Sequence, residues 1–147
     1  MEPSEFVHAG GDIDHVKVTL SVSGDELDPD EVTGALARAP TFTARRGDRR
    51  TSAHGTVTQR TGVWLLELGD SREWVLADAI RTLLTVLPPP SDVWTRLADK
   101  YELVLSIGLF LEQWNRGCEL PADLLAELAQ RRLGLSFDIY SNVEGDA

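Results

Sequence analysis

Apolar and polar residues alternate along two stretches of the chain, a period of two that is typical of strands with one wetted face. The first stretch is His15 to Ser23, in which four valine or leucine residues alternate with lysine, threonine and serine. The second is Leu135 to Tyr140, and Gly62 to Leu68 predicts a further strand between them. Tyr101 to Phe110 is the most apolar run of the chain. Its length favours a central strand, buried on both faces or nearly so, over a helix.

Apolar residues recur at the helical period of 3.6 in other segments, and four helices are predicted there. The first opens at Asp28, which can cap it, and Glu31 completes the spacing of a capping box. Pro40 ends this helix because proline cannot continue it. The other three helices are predicted from Asp70 to Leu87, from Ser91 onward and from Pro121 to Gly134.

The predicted elements follow the order β-α-β-β and then α-α-β-α-β. Residues 27–37 match residues 119–129 at a proline, at two apolar anchors and at the final alanine, and each segment follows a predicted strand. The expected fold is an α+β two-layer sandwich, with a mainly antiparallel sheet covered by helices on one face. A ferredoxin-like arrangement, duplicated from β-α-β halves, is the nearest named architecture.

A chain of 147 residues is expected to form one domain, placed at residues 15–141 between a flexible N-terminal tail, 1–14, and a polar C-terminal tail, 142–147. Its single cysteine, Cys118, allows no intrachain disulfide and fits a reducing cytoplasm. The N-terminus lacks the basic and apolar regions of a signal peptide, and no apolar run approaches the roughly 20 residues that span a bilayer. We therefore expect a cytoplasmic protein with no membrane segment.

The net charge of −10 disfavours nucleic acid and anionic membranes as partners, since phosphate groups repel an acidic surface. The charge is also uneven along the chain. Six arginines against one aspartate give residues 38–60 a charge of +5, so the remainder carries −15. This asymmetry is the sharpest anomaly of the composition.

Several segments occur in an order that resembles a known family. They are residues 18–36 (a strand, then Gly-Asp-Glu-Leu-Asp-Pro-Asp-Glu-Val), Pro40-Thr41 followed by Arg46-Gly47-Asp48, residues 62–67 (Gly-Val-Trp-Leu-Leu-Glu), and residues 120–140 ending in Phe-Asp-Ile-Tyr. Together they resemble the bacterial family catalogued as domain of unknown function 4279 (DUF4279), over about residues 15–141. The resemblance implies a fold and a bacterial cytoplasmic setting, and it implies no established activity.

One departure from the family matters for its function. The family tends to place an aromatic residue just before its basic-Gly-Asp turn, where this chain has Ala44 and then Arg45. The resemblance therefore does not carry over any pocket that used that ring.

The basic turn from residue 45 to residue 50 is the first candidate site. Guanidinium groups on Arg45, Arg46, Arg49 and Arg50 offer paired donors for a carboxylate or a phosphate. The alternative is a solvated turn whose arginines balance the acidic remainder, with Asp48 capping the turn through its backbone. In either case we expect an exposed loop or hairpin. A short edge strand is predicted before it at residues 41–44, and half of a hairpin after it at residues 51–60.

Two further surfaces are candidates for partner binding. Trp114 lies near Arg116 in a polar connection, and tryptophan and arginine are enriched in interface hot spots. The acidic start of the first helix, which includes Asp28 and Glu31, is suited to a basic partner, although helix N-termini favour acids in any case. The tryptophans at positions 64 and 94 are instead expected in the core.

The sequence lacks the signatures of common catalytic, cofactor and metal sites, including a nucleophile elbow, a phosphate loop, a zinc motif and an EF-hand. We therefore predict no catalytic residue, metal or cofactor, and a function in protein–protein contact. Its most concrete form is an immunity-type inhibitor of a cognate, basic bacterial toxin domain. The alternatives are a small anionic-ligand sensor or enzyme that uses the Arg45–Arg50 loop, and an assembly module that forms a homodimer through a sheet edge.

Overall fold

The computed structural model describes residues 15–68, 75–112 and 117–141, and over these ranges the chain forms seven strands and four helices. The strands are β1 (His15–Gly24), β2 (Phe42–Ala44), β3 (Arg49–Ser52), β4 (Gly55–Thr58), β5 (Gly62–Glu67), β6 (Glu102–Leu111) and β7 (Gly134–Ser141). The helices are α1 (Pro29–Leu36), α2 (Leu76–Thr85), α3 (Asp92–Lys100) and α4 (Ala122–Gln130). Both predicted tails, and the predicted start of the second helix at residues 70–74, lie outside the described residues.

β1 is the middle strand of a five-stranded sheet with the order β2-β5-β1-β6-β7. It pairs antiparallel with both β5 and β6, and β2 pairs antiparallel with β5. β6 pairs with β7 in parallel. The most apolar run of the sequence therefore does form an interior strand, flanked by the two strands that the alternating patterns predict. β3 and β4 form a separate two-stranded hairpin.

The hydrophobic core lies between one face of the sheet and the helices. The four aliphatic side chains of β1 that alternate with its polar residues are buried, and every helix adds apolar residues to the same cluster. Trp64 of β5 and Trp94 of α3 are fully buried there, as predicted. Both indole groups are satisfied, because Trp64 Nε1 donates to Thr33 Oγ1 at 3.0 Å and Trp94 Nε1 to the Pro88 carbonyl at 3.2 Å.

The prediction that Tyr101 to Phe110 is buried on both faces is wrong. The strand begins at Glu102, and its residues alternate between buried positions and half-exposed ones. The buried set is Leu103, Leu105, Ile107 and Leu109, and the half-exposed set is Val104, Ser106, Gly108 and Phe110. The helices thus cover only one face of β6, and the other face carries a mixture of polar, small and aromatic residues.

The sheet is mainly antiparallel, but the β6–β7 pair makes it mixed, and a ferredoxin-like sandwich is not confirmed. The two expected halves also differ in topology. β5 lies between β1 and β2, whereas β6 and β7 are direct neighbours joined through α4. A helical crossover returns the chain in the same direction, which is why this pair is parallel. The match between residues 27–37 and 119–129 therefore reflects similar helix starts and not equivalent halves.

Three helices end before the residues that were predicted, and α2 stops at Thr85 instead of Leu87. α1 stops at Leu36, before Pro40, because Ala37 adopts a left-handed conformation with φ of 54° and donates its N–H to the Thr33 carbonyl. After α4, the left-handed residue is Arg132, with φ of 62°, and Gly134 opens β7 instead of ending the helix.

Arg131 is the buried charge that the sequence pattern did not predict. It is only 5% exposed, although its position at a helix C-terminus predicts a solvated cation. Its Nη1 donates to the Glu127 carbonyl at 2.9 Å and to Glu127 Oε1 at 2.7 Å, and its Nε donates to the Pro88 carbonyl at 3.2 Å. The guanidinium group thereby ties the end of α4 to the segment that follows α2.

The one-sided core predicts opposite effects of truncation at neighbouring positions of β6. Leu105→Ala should lower the free energy of unfolding by about 2–5 kcal/mol, because it leaves a cavity in the core. Ser106→Ala, on the other face, should change it by less than about 0.5 kcal/mol. Urea denaturation followed by circular dichroism measures both. Equal losses for the two variants would contradict the placement of the core.

Candidate functional site

The basic segment is exposed, as predicted: residues 45–48 form a turn that leads into β3, and Arg49 and Arg50 lie in β3. The exposed β3–β4 hairpin thus begins at residue 49 and contains both of its strands before residue 59, whereas only half of a hairpin was predicted at residues 51–60. Asp48 Oδ2 accepts a hydrogen bond from the Arg45 backbone N–H at 2.8 Å, and Gly47 supplies a positive φ of 93°. The role of Asp48 is therefore to cap the turn.

The arginines of this hairpin contact the acidic loop that precedes α1. Arg45 Nη2 lies 3.2 Å from Asp28 Oδ1 and 3.8 Å from Asp30 Oδ2, and Arg46 Nη1 lies 3.6 Å from Asp25 Oδ2. The two charged regions, which are distinct in sequence, therefore neutralise one another in part. Their side chains are half-exposed or more, so each pair adds little to stability.

The other two arginines of the cluster lie elsewhere on the hairpin. The Arg50 guanidinium lies 5.1 Å from the centre of the Phe42 ring, an arrangement that allows a cation–π contact. Arg49 is exposed and makes no ion pair within the part of the chain that the structure describes. The arrangement does not favour one anion site shared by Arg45, Arg46, Arg49 and Arg50.

The acidic candidates at the start of α1 have structural roles. Asp28 caps the helix, since its Oδ1 accepts from the Asp30 N–H at 3.1 Å. Glu31 does not reach back to the backbone as in an ordinary capping box. Instead, Glu31 Oε1 accepts from the Tyr101 hydroxyl at 2.5 Å, and that hydroxyl accepts from the Asp28 N–H at 3.4 Å. The Tyr101 hydroxyl thus bridges the Asp28 backbone N–H and the Glu31 carboxylate, which an ordinary capping box joins directly.

Glu31 is also paired with a cation. Lys100 Nζ lies 2.6 Å from Glu31 Oε2, and this bond, followed by that from Tyr101, lowers the pKa of Glu31. The same bond raises the pKa of Lys100. Burial, followed by the bond to Glu31, raises the pKa of Tyr101. The cluster links α1 to the junction between α3 and β6, so the bonds of Glu31 hold these elements together.

The remaining candidates, Trp114 and Arg116, lie outside the described residues. The prediction of a partner-binding anchor there stays a prediction.

The face of the sheet that the helices leave open forms a shallow groove of about 340 Å³, which sequence reasoning did not identify. It crosses four strands and is lined by Lys17, Thr19, Ser21, Leu65, Glu67, Ser106, Gly108, Phe110, Asp138 and Tyr140. Lys17 Nζ and Glu67 Oε2 form an ion pair across it at 3.2 Å. The polar positions of the alternating strands indicate that one face of the sheet is open. Only the strand order places these positions of β1, β5, β6 and β7 in one groove.

Three rings stack in a row across one end of this open face. The His15 and Phe110 ring centres are 4.5 Å apart, and those of Phe110 and Tyr140 are 4.8 Å apart. The three residues lie opposite one another in the register of β1, β6 and β7. Gly108 leaves room for this row, since a Cβ atom there would lie 3.3 Å from the Phe110 ring.

β7 is one of the two edge strands of the sheet, and it carries large apolar side chains on both faces. Phe137 and Ile139 lie on the helix-covered side of the sheet, opposite Ile107 and Leu109, yet they are 44% and 64% exposed. Tyr140 lies on the open side and is 52% exposed. The helices therefore stop short of this edge. An exposed apolar strand at a sheet edge is a ready template for pairing with another chain.

The family model described as domain of unknown function (DUF4279) matches residues 14–142. The chain belongs to the DUF4279 family. Neither a curated protein nor a solved structure shows significant similarity to it. Ala44, just before the basic turn, is a buried residue of β2.

The described residues lack both a membrane-spanning helix and a cluster of metal ligands. None of their helices is both long and apolar enough to cross a bilayer. They contain no group of three or more histidine, cysteine, aspartate or glutamate side chains positioned to hold a metal ion.

Replacing all four arginines of the hairpin tests whether they hold the fold together. The variant with Arg45, Arg46, Arg49 and Arg50 changed to serine should lose no more than about 0.5 kcal/mol of unfolding free energy per residue, because all four side chains are exposed. Thermal melting measures the effect. A collapse of the melting temperature would show that the hairpin arginines are structural.

The Glu31 cluster predicts a pH-dependent stability. Because the folded-state pKa of Glu31 is lowered, its ionised form stabilises the fold above the unfolded-state value near 4.5, and this stabilisation is lost as the pH falls through the folded-state pKa. Glu31→Gln should therefore lower the melting temperature at pH 7 and change it much less at pH 3. Asp99→Asn, at an exposed position of α3, is the control and should have little effect at either pH. An equal loss for Glu31→Gln at both pH values would count against the ionised cluster.

Proposed function

We propose that this DUF4279 protein is a non-catalytic protein-binding domain whose contact surface is the β7 edge with the adjoining open face. The observation that carries the proposal is the exposure of Phe137, Ile139 and Tyr140 on an edge strand of eight residues. Large apolar side chains this exposed on an edge strand favour association with another chain. Aromatic residues are also enriched in interface hot spots.

The proposed partner is a basic protein, and the proposed role is that of an immunity-type inhibitor of a bacterial toxin in the cytoplasm. The support is the net charge of −10 together with the small size and the lack of a catalytic signature. An acidic surface speeds the encounter with a basic partner by electrostatic steering. The internal pairs of Arg45 and Arg46 reduce the local positive field that would oppose this encounter.

The finer architecture that we propose is a ferredoxin-like unit with one added strand. The order and directions of β2, β5, β1 and β6, all antiparallel to their neighbours, support this view. In this interpretation α4 and β7 are an appended crossover. The appended strand is then the element that carries the proposed binding surface.

The anionic-ligand alternative has less support. Two of the four arginines on which it relies are engaged with carboxylates, and the Arg50 guanidinium lies over Phe42. The groove on the open face has a carboxylate, Asp138, near its β7 end and an ion pair further in. That composition does not suit an anion.

The test compares two exposed apolar positions on different strand pairs. The partner is captured from the native host with the tagged protein, purified, and its affinity measured by biolayer interferometry. Ile139→Lys should weaken binding at least about tenfold, because it places a charge in the apolar contact. Val57→Lys is the matched control on the β3–β4 hairpin, where Val57 is 55% exposed, and should leave the affinity unchanged.

The association rate should also fall steeply between about 0.05 and 1 M salt, because screening removes the steering field. Loss of binding by Val57→Lys but not by Ile139→Lys would move the contact surface to the hairpin. An association rate that is independent of salt would exclude a basic partner steered by charge.

A further inference from the structure

The two faces of β7 differ in chemistry at the sheet edge. Asp138 and Tyr140 project onto the open face, where they lie opposite Gly108 and Phe110, and Phe137 and Ile139 project onto the other face. All four side chains are exposed. A strand added beyond β7 would place its own alternate side chains beside these two sets, since successive residues of a strand point to opposite faces.

The open-face set has the chemistry of a cation site. Asp138 makes no ion pair or side-chain hydrogen bond within the described part of the chain, whereas the nearest other carboxylate of the groove, Glu67, is paired with Lys17. The stacked rings of Phe110 and Tyr140 lie on the same face as Asp138, two residues further along β6 and β7 than Gly108 and Asp138. A carboxylate beside aromatic rings suits an ammonium or guanidinium group, by charge and by cation–π contact.

We propose that the partner contributes an extended segment that adds to the β7 edge as a further strand. Its basic side chains lie over Asp138 and Tyr140 on the open face, and its apolar side chains lie beside Phe137 and Ile139. This inference rests on the proposed protein-binding function and names the recognition element: a strand with alternating basic and apolar residues. Backbone pairing supplies affinity in such strand addition, and the alternate side chains supply specificity.

A second copy of the chain is a poorer occupant of the same edge. Two copies paired about the middle of β7 would bring two Asp138 carboxylates onto one face, directly opposite or diagonal, and like charges in those positions repel. Each copy would also bring a net charge of −10. The charge on this edge therefore favours a basic strand over a copy of itself.

The test uses fluorescein-labelled synthetic peptides of eight residues and the intact protein. The probe alternates arginine and valine. One control has the same composition in paired order, Arg-Arg-Val-Val repeated, and another alternates glutamate and valine. Fluorescence polarisation should show binding of the alternating basic probe, with affinity at least about tenfold above both controls, because only that probe matches the two faces of the edge. Hydrogen exchange should show protection of backbone amides in β7 when the probe is bound.

Two variants of the protein test whether the basic residues of the probe contact Asp138. Asp138→Asn should weaken the probe about three- to tenfold, and Asp99→Asn, an equal change of charge on the distant helix α3, should not. Equal binding of the alternating and paired-order basic peptides, or equal loss in the two variants, would show general charge attraction and overturn the inference. A mass near twice that of one chain by light scattering, reduced to one chain by Ile139→Lys, would assign the edge to a second copy and also overturn it.

The two proposals fail in different ways. If the probe does not bind but Ile139→Lys still abolishes binding of the captured partner, strand addition is wrong and the protein-binding surface stands. If the probe binds β7 while the captured partner is insensitive to Ile139→Lys, the edge accepts basic strands but is not the surface that this partner uses, and the proposed function fails.

Discussion

The burial of one face of the sheet is the constraint on which the rest of this structure depends. Each central strand places its buried apolar side chains toward the helices, and most of the polar residues of β1 and β6 face away from them. Removing the apolar face from water is the main favourable term in folding, so the helices must cover it. There is no second layer of helices among the described elements, and the open face stays hydrophilic enough to remain in water.

The same constraint explains why β7 stands out. It joins the sheet as the parallel partner of β6 through a crossover helix, and it lies at the edge where the helical layer ends. Phe137 and Ile139 continue the apolar face of the sheet past the point at which the helices cover it. The chain on its own thus keeps apolar area in water, a cost that would be recovered if another chain covered the edge, as proposed above.

Electrostatic contacts organise the opposite end of the molecule. The basic segment and the acidic start of α1 meet through Arg45, Arg46 and three aspartates, and the neighbouring cluster of Glu31, Tyr101 and Lys100 links α1 to the junction between α3 and β6. These charges were the most conspicuous candidates for a binding site. Their geometry shows them serving the fold first, as caps, turn closures and surface ion pairs. Asp138 differs from them, because its carboxylate has no cation in the described structure and lies beside a row of rings.

The local patterns of the sequence predicted most of the elements. Alternation predicted β1 and β7, the apolar run predicted an interior β6, and Asp28 as a capping residue predicted the start of α1, because these features act within a few residues of one another. They also predicted Trp64 and Trp94 in the core, and the family resemblance held over nearly the whole chain. Only the tertiary structure decided that β7 runs parallel at an edge, that Tyr101 relays the cap between Asp28 and Glu31, that Arg131 is buried, and that the arginines face the aspartates. Each of these depends on which distant segments become neighbours, and the free-energy differences that select a strand order are spread over the whole core. No single stretch of residues contains that information.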